Sequence, residues 1–590
     1  MRALRAEWLF AIGGLLFAPA AVAQAVAPGQ PGTPVEKTAA AANRAFQHGS
    51  AAFAAGDLKT AHADFAGLVR LAPQVAAAHS AFGAVLLAEG DLPAAVAELT
   101  AACRLDPNQL QAAINLAVAR RRQGDYAEAV HLFRALPASA EALQPAEADA
   151  YVTALAATGD RAAAVTEVQD ALRRFPGNAE LWDALGSLQA QDGQIAAAAE
   201  SFRKALASDA GFAPAHAHLG SLLLLQGDPK GAVSELQRAK DLGDTAPAAQ
   251  VELGRALSAA GDDAAAIAQL RRGVAAEPGS ADAQYALALA LQAGGQPKDA
   301  LPLFAAFTQA RPDNIAALIN YGLAMVQTGD AKGALTIYAR AAARGPDNAL
   351  LRENIGVAYL QINDIDYALE QFRAGLALDP QSAQLHYDLG LAFKLKDDLA
   401  AATAELERAQ ALDDKLPDPP YTLGVILMQQ GQAAAAEREF ERAIAANPGN
   451  GAAWSLLGSV EKDAGEPDKA ATALQHAIAL SPEEPSPHVM LAAILAAKGD
   501  AAGALVERKT AAALSRSAMN HQRASFALES GRVLLSRGQV ADAVTQLNDA
   551  VAAQPNLREA HLLLADALER QGRSADALSE RRKAQQLSQP

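Results

Sequence analysis

The chain has 590 residues, a formal net charge of −16 and a single cysteine, Cys103. One cysteine excludes an intramolecular disulfide and a cysteine-based metal cluster. An acidic chain is poorly suited to binding nucleic-acid phosphates or an anionic membrane surface, so neither class of partner is predicted. Solubility of a long alanine-rich chain explains the acidity more simply than an acidic binding face does.

Residues 1–23 have the features of a secretory signal peptide. Two arginines precede an apolar run of eleven residues, 8–18, and a small-x-small site follows at 21–23. The run is too short to span a bilayer as a helix, so no membrane insertion of the mature chain is expected. We predict cleavage after Ala23 and a periplasmic or secreted protein; an uncleaved anchor is the alternative.

Residues 24–41 are predicted to be a linker. They contain three prolines and two glycines and no periodic apolar face.

From residue 42 to residue 590 the sequence repeats with a period near 34 residues. The unit 315–348 has two helix-period apolar runs, which are joined by residues 328–330 and closed by Gly345-Pro346. Position 20 of the unit is alanine in all sixteen copies. We therefore predict an all-α fold, an α-α superhelix built from about sixteen helix-turn-helix repeats. The repeats start at 42, 76, 110, 145, 179, 213, 247, 281, 315, 349, 383, 417, 451, 485, 524 and 558.

Three small-residue positions explain how each helix pair forms. Position 8 is mostly glycine, and together with the alanine at position 20 it predicts a close approach of two helices. The glycine at position 15 takes a left-handed conformation that ends the first helix, and Asn363 and Asp397 replace it in two units. In the unit at 315 this frame predicts that Ala334 is buried and Ala331 exposed.

Two steps between repeats are irregular. The step from 110 to 145 is 35 residues and predicts a stretched turn near residues 137–145. The step from 485 to 524 is 39 residues, and near residues 515–523 either a longer second helix or an inserted loop would account for it. Neither step has room for a catalytic domain.

The repeat resembles the tetratricopeptide repeat family. Its pattern is matched by the tryptophan, leucine-glycine, alanine, alanine and proline at Trp454, Leu457-Gly458, Ala470, Ala477 and Pro482. The family tyrosine at position 11 survives only at Tyr359, so the packing is richer in alanine and leucine. The resemblance implies the fold and does not by itself imply a function.

The sequence has few motifs that are typical of catalytic sites. It contains no phosphate-binding loop, dinucleotide-binding motif or zinc-protease motif, and its one SxxK match at Ser201 and Lys204 lies on a regular second helix. His216 and His218 point about 200° apart on a helix, so they do not bind one metal ion. The other histidines occur singly and are interpreted as surface or core residues. No enzymatic activity, cofactor or metal is predicted.

A surface is the remaining functional candidate. In the family that the chain resembles, the first helices line a concave face, where amide and aromatic side chains can bind an extended backbone. The arrangement is similar to the asparagine ladder of the O-GlcNAc transferase family, although ordinary polar helix surface explains it as well. The candidate residues are Tyr285, Asn320, Asn354, Tyr387, Asp388 and Tyr421.

The sequence therefore predicts an exported, non-catalytic scaffold that binds proteins or extended peptides. A periplasmic component of a polysaccharide-export or envelope-assembly machine is the alternative, and an enzyme with an unrecognised site comes third.

Overall fold

A computed structural model of the chain describes residues 34–136 and 143–587. All regular secondary structure within these ranges is α-helical, which confirms the predicted all-α fold. In chain order the helices are α1 (Pro34–Ala54), α2 (Leu58–Leu71), α3 (Ala76–Glu89), α4 (Leu92–Leu105), α5 (Leu110–Arg122), α6 (Tyr126–Arg134), α7 (Pro145–Ala157), α8 (Arg161–Arg174), α9 (Ala179–Gln191), α10 (Ile195–Ser208), α11 (Ala213–Leu225), α12 (Pro229–Asp241), α13 (Pro247–Ala259), α14 (Asp263–Ala276), α15 (Ala281–Ala293), α16 (Pro297–Ala310), α17 (Ile315–Gln327), α18 (Ala331–Ala342), α19 (Ala349–Gln361), α20 (Ile365–Leu378), α21 (Ala383–Leu395), α22 (Leu399–Leu412), α23 (Asp418–Gln429), α24 (Ala433–Ala446), α25 (Gly451–Asp463), α26 (Pro467–Leu480), α27 (Pro485–Ala497), α28 (Ala501–Ser536), α29 (Val540–Ala553), α30 (Arg558–Arg570) and α31 (Ser574–Gln586).

The chain divides into two compact units, with the boundary between Arg311 and Pro312. The first unit contains α1–α16 and the second contains α17–α31. Within each unit a first helix packs against the second helix of its own repeat, and that second helix packs against the first helix of the next repeat. Each repeat therefore contacts its neighbours, as expected of a solenoid.

Helix α1 begins earlier than the sequence analysis placed the first repeat. It starts at Pro34, so residues 34–41, the last part of the predicted linker, are helical. Proline is tolerated there because the first helical residue needs no partner for its missing N–H. The predicted signal peptide and the rest of the predicted linker lie outside the described residues.

The step from 485 to 524 is a fusion of two helices. Helix α28 has 36 residues and joins the second helix of one repeat to the first helix of the next. No glycine or proline occurs between Gly503 and Gly531, so the usual stop signals are missing and the helix continues. Of the two possibilities the sequence left open, the longer helix is correct. The other irregular step falls largely on residues 137–142, outside the described residues.

The small residues at positions 8 and 20 allow the two helices of most repeats to approach closely; the repeat at 145 has Val152 at position 8. Ala334 is fully buried. A Cβ atom on Gly220 would lie 3.2 Å from the carbonyl oxygen of Ala232, the position-20 alanine of the same repeat. A Cβ atom on Gly322 would lie 2.3 Å from Tyr338 Cε1, closer than real Cβ contacts. Larger side chains at these positions would separate the helices.

The turn inside each repeat forms as predicted. Gly329 has a φ of 93°, and Asn363 and Asp397 adopt the same left-handed conformation with φ of 62° and 64°. In many repeats the next residue is an aspartate that caps the second helix; for example, Asp330 accepts a hydrogen bond of 2.9 Å from the Gly333 amide.

The prediction that Ala331 is exposed was wrong. This residue is only 2% exposed and belongs to the same apolar cluster as Val326 and Ile337. Ala331 is the first residue of α18, and the tight turn before it holds that end of the helix against its neighbours. Ala339, on the same helix, is exposed.

A recurring set of hydrogen bonds centres on position 4 of the repeat. In its full form the side chain at this position, on a first helix, contacts the second helix of its own repeat and the end of the preceding repeat. Five histidines at this position approach a glutamate nineteen residues later, a recurrence that the sequence analysis missed because it treated the histidines singly. His561 shows the full link, because Nδ1 lies 2.5 Å from Glu580 Oε2 and Nε2 donates to the Pro555 carbonyl at 2.9 Å. Trp182 and Trp454 occupy the same position and donate to the carbonyls of Pro176 and Pro448. The histidine–glutamate pairs are His79–Glu98, His216–Glu235, His386–Glu405, His488–Glu507 and His561–Glu580.

Replacing His561 by alanine is expected to destabilise the last repeat by about 2–3 kcal/mol, since a buried hydrogen bond to a charged group is lost. Burial opposes the ionisation of Glu580, but hydrogen bonds from Lys583 and His561 lower its pKa, so the variant loses one of the groups that stabilise the carboxylate. Urea unfolding measured by circular dichroism reports the effect. The exposed His521 supplies the control, because H521A is expected to change the unfolding midpoint little.

Candidate binding surface on the first helices

The six candidate residues lie on first helices of both units. Tyr285 is on α15 of the first unit, and the other five are on α17, α19, α21 and α23 of the second. The candidate surface of the second unit comprises Asn320, Asn354, Tyr387, Asp388 and Tyr421.

Tyr285 contributes to the packing of its own repeat. Its half-buried ring stacks on Phe307 with centroids 4.4 Å apart and meets the edge of Phe304 at 5.9 Å. Such aromatic pairs stabilise beyond the area they bury. Tyr285 therefore holds helix α15 on α16.

The two asparagines differ in their surroundings. Asn320 is half-buried. Asn354 is only 7% exposed, and its Nδ2 donates to the Leu350 carbonyl of the same helix at 2.8 Å. The Asn354 side chain turns back onto its own helix instead of facing solvent, because a short amide can bond to the carbonyl one turn earlier. An asparagine ladder is therefore a poor description of this surface.

Neighbouring first helices are joined by a diagonal contact that the sequence analysis missed. Position 5 of one repeat meets position 6 of the next, 35 residues later. In the first unit His218 Nδ1 lies 2.8 Å from Asp183 Oδ1. In the second unit the Tyr387 hydroxyl hydrogen-bonds with Thr422, although burial raises the pKa of Tyr387 overall. Pairing positions 35 apart, instead of 34, would have revealed these contacts in the sequence.

Tyr421 lies beside this contact. Its ring is half-buried and tilted 6.3 Å from Phe440 of the same repeat. Tyr387 and Tyr421 thus present part of each ring on the first-helix surface, while the remainder packs inside the repeats.

Asp388 is the most perturbed group on this surface. Its Oδ1 accepts a hydrogen bond of 3.1 Å from Gln384 Nε2, whereas its buried Oδ2 has no hydrogen-bond partner among the described residues. Burial, together with the negative charges of Glu353 and Asp418, raises the pKa of Asp388 to about 7. Burial also raises the pKa of Glu353. Glu353 and Asp418, which were absent from the candidate set, belong to this surface.

An Asp388→Asn substitution is expected to stabilise the protein at pH 8 by up to a few kcal/mol, since each unit of pKa difference corresponds to about 1.4 kcal/mol. Folding raises this pKa from 3.8 to about 7, so the folded chain keeps a proton that the unfolded chain has released between those values. The contribution of Asp388 to stability therefore falls as the pH rises from about 4 to about 7.

Thermal unfolding at pH 8 and pH 5 tests this expectation. The stabilising effect of the substitution should shrink at pH 5, and D414N at an exposed position should change neither midpoint. An equal gain at both pH values would contradict the assignment.

No group of three or more histidine, cysteine, aspartate or glutamate side chains could hold a metal ion in the part of the chain that the structure describes. Ser201 donates to Gln189 Oε1 at 2.7 Å, and Lys204 pairs with Glu200 at 2.8 Å. Cys103 is half-buried, and burial raises the pKa of its thiol.

Within the described residues, no helix has the length and apolar character needed to cross a membrane.

Models of known families match most of these repeats. One tetratricopeptide repeat model matches more than half of the chain, at residues 46–109, 81–148, 184–249, 421–485, 456–513 and 528–589. The chain belongs to the tetratricopeptide repeat family. Further tetratricopeptide repeat models match residues 290–353, 358–397 and 145–188. No curated protein matches the chain.

Solved structures of tetratricopeptide repeat proteins are similar to parts of the chain. MamA from Desulfovibrio magneticus RS-1 is 25% identical over 29% of this chain and 97% of its own, with a TM-score of 0.28. A chain of the APC/C hetero-tetramer Cut9-Hcn1 is 18% identical over 89% of this chain and 96% of its own, with a TM-score of 0.32. YrrB, described as a TPR protein with an unusual peptide-binding site, is 22% identical over 31% of this chain and 95% of its own, with a TM-score of 0.29.

Proposed function

We propose that the protein is a protein-binding scaffold, and that the first helices of residues 312–590 bind an extended peptide bearing a basic side chain. The observation that carries this proposal is the buried Asp388 Oδ2, which has no hydrogen-bond partner among the described residues. A buried polar atom without a partner costs free energy. A guanidinium or ammonium group from a ligand would supply the missing hydrogen bond.

The surroundings of Asp388 favour a cationic ligand. Glu353 and Asp418 raise its pKa because their negative charges oppose ionisation, and a positive ligand would reverse that effect. Tyr387 and Tyr421 flank the carboxylates and offer partly exposed rings for flat contacts. Charge-assisted hydrogen bonds to such a carboxylate are about twice as strong as neutral ones.

A pair of fluorescent peptides tests the proposal. One alternates arginine with alanine, and the other carries glutamine in place of each arginine. Binding to the purified full chain is measured by fluorescence anisotropy at pH 8 and pH 5. The arginine peptide should bind more tightly than the glutamine peptide, and more tightly at pH 8, where Asp388 is ionised.

The double variant Asp388→Asn with Glu353→Gln should weaken binding of the arginine peptide by about tenfold or more, because charged hydrogen bonds are lost. The matched control is Glu407→Gln with Asp414→Asn, which makes the same charge change at exposed positions on and after α22. Equal affinities for both peptides, or unchanged affinity in the double variant, would overturn the proposal. Competition by a soluble polysaccharide would instead favour the glycan-export alternative.

We also propose that the mature chain is exported. Its support is the positive start, short apolar run and small-x-small site within residues 1–23. N-terminal sequencing of the protein from its own cells should find Gln24 first, in a fraction outside the cytoplasm. A Met1 species in the soluble cytoplasm would refute the export proposal without affecting the proposed peptide binding.

A further inference from the structure

The fused helix α28 exposes apolar side chains at a seven-residue spacing. We call Leu505, Ala512, Met519, Phe526 and Val533 the heptad stripe. Phe526 is 76% exposed, Met519 62% and Leu505 53%, and Val533 and Ala512 are exposed as well. A spacing of seven keeps side chains on one side of a helix, with a drift of about 20° per heptad, as in coiled-coil seams.

The same repeat positions are covered elsewhere in the chain. Leu505 is at position 21 of its repeat, and the equivalent Val544 is buried against the next repeat with Ala567. Phe526 is at position 3, where the equivalent Ala560 is fully buried. Positions 21 and 28 of one repeat normally pack on positions 10 and 3 of the next. The heptad stripe therefore consists of the two halves of an inter-repeat interface that has not closed.

The reason it has not closed lies in the continuity of α28. Its N-terminal half packs on α27 through Ala504 and Ala511, and its C-terminal half packs on α29 through Ala524 and Gly531. A second helix and the following first helix must run antiparallel to pack as they do at the other junctions. The two halves of one straight helix run in the same direction along one axis, so they do not meet within one chain.

The sequence before the fusion has the character of an array end. Position 24 holds an apolar or aromatic residue in most repeats, but it is Arg508 here and Arg581 in the last repeat. Leu578 of the last repeat, equivalent to Leu505, is also about half exposed. Repeat 14 therefore resembles the repeat at 558 at positions 21 and 24.

We propose that the heptad stripe is a homodimer interface, in which α28 of two copies pack antiparallel about a twofold axis at Met519. In this arrangement Leu505 lies opposite Val533 of the second copy, and Ala512 lies opposite its Phe526. The N-terminal half of α28 in one copy then packs on the C-terminal half of α28 in the other copy. The two halves run antiparallel, as the paired helices do at the other junctions. Such an interface is self-complementary, as a twofold dimer requires.

The charges beside the heptad stripe are compatible with this pairing. A twofold axis at residue 519 relates any two positions whose numbers add to 1038. Lys509 then lies opposite Glu529 of the second copy, so opposite charges meet. The four arginines of α28 meet uncharged side chains: Arg508 lies opposite Ser530, Arg516 opposite Gln522, Arg523 opposite Ser515 and Arg532 opposite Val506.

Light scattering coupled to size-exclusion chromatography tests the proposal on the purified full chain. The expected mass is about twice 60.8 kDa, or slightly less if the signal peptide has been removed. Phe526→Glu should weaken dimerisation by at least about a hundredfold, since two large apolar contacts per dimer are lost. Val506→Glu is the matched control, because Val506 is similarly exposed but lies beside the heptad stripe; this variant should remain dimeric.

A cysteine scan keeps the test decisive if a glutamate disturbs folding. In a Cys103→Ser background, Met519→Cys should form a covalent dimer on oxidation, and Val506→Cys should not. A monomeric wild-type chain at tens of micromolar would overturn the proposal, whether α28 stays straight or bends to close the interface within one chain. A dimer that survives Phe526→Glu and gives no Met519→Cys crosslink would also overturn it.

Discussion

Replacing Gly322 by valine is expected to destabilise the second unit by about 3 kcal/mol or more. Even a Cβ atom at this position would lie 2.3 Å from Tyr338 Cε1, and Tyr338 is fully buried. Forcing extra atoms into a packed core typically costs about 1–3 kcal/mol, and more where neighbours have no room to move. Urea unfolding followed by circular dichroism measures the loss.

Another repeat of the chain shows which second substitution should compensate for valine at position 8. Val152 and Val168 occupy positions 8 and 24 of the repeat at 145, where Gly322 and Tyr338 stand in the repeat at 315. Both valines are buried in one apolar cluster. The double variant Gly322→Val with Tyr338→Val should therefore be more stable than the sum of the two single effects predicts, by at least about 1 kcal/mol. Strict additivity would show that the two positions do not share the space assigned to them.

An Ala334→Leu substitution is expected to cost about 3 kcal/mol. Ala334 is fully buried where the two helices of its repeat approach, and leucine adds three heavy atoms there. The control is Ala339→Leu on the same helix, because Ala339 is exposed and the substitution keeps a good helix former. Equal thermal midpoints for the two variants would contradict the helix-pair packing described above.

The repeat frame could be predicted from sequence because its signals are local and recur many times. The glycine at position 15 and the alanine at position 20 are each required by backbone conformation or by close approach, so their spacing shows where helices end and meet. The exposure of Ala331 was misjudged because the frame alone does not show how the turn places the start of a second helix. The fusion in α28 was predicted only in part. The missing stop signals predict a longer second helix, but they do not predict that it continues into the first helix of the next repeat.

The candidate surface was harder to predict because it depends on contacts between repeats. A side chain at position 6 faces solvent or a neighbour according to what stands at position 5 of the preceding repeat. Asn354 satisfies its amide within its own helix, whereas Asp388 is buried beside Glu353 and lacks a partner for one oxygen. Helical periodicity assigns both residues to the same face and does not distinguish them.

Photo-crosslinking of the arginine–alanine peptide tests most directly whether the first helices form the binding surface. The peptide carries one photoreactive residue, and mass spectrometry maps its attachment sites on the full chain. Crosslinks should concentrate on the first helices α19, α21 and α23, and they should be lost in the Asp388→Asn, Glu353→Gln variant. Crosslinks that map mainly to the second helices α20, α22 and α24, or that persist unchanged in this variant, would contradict the account.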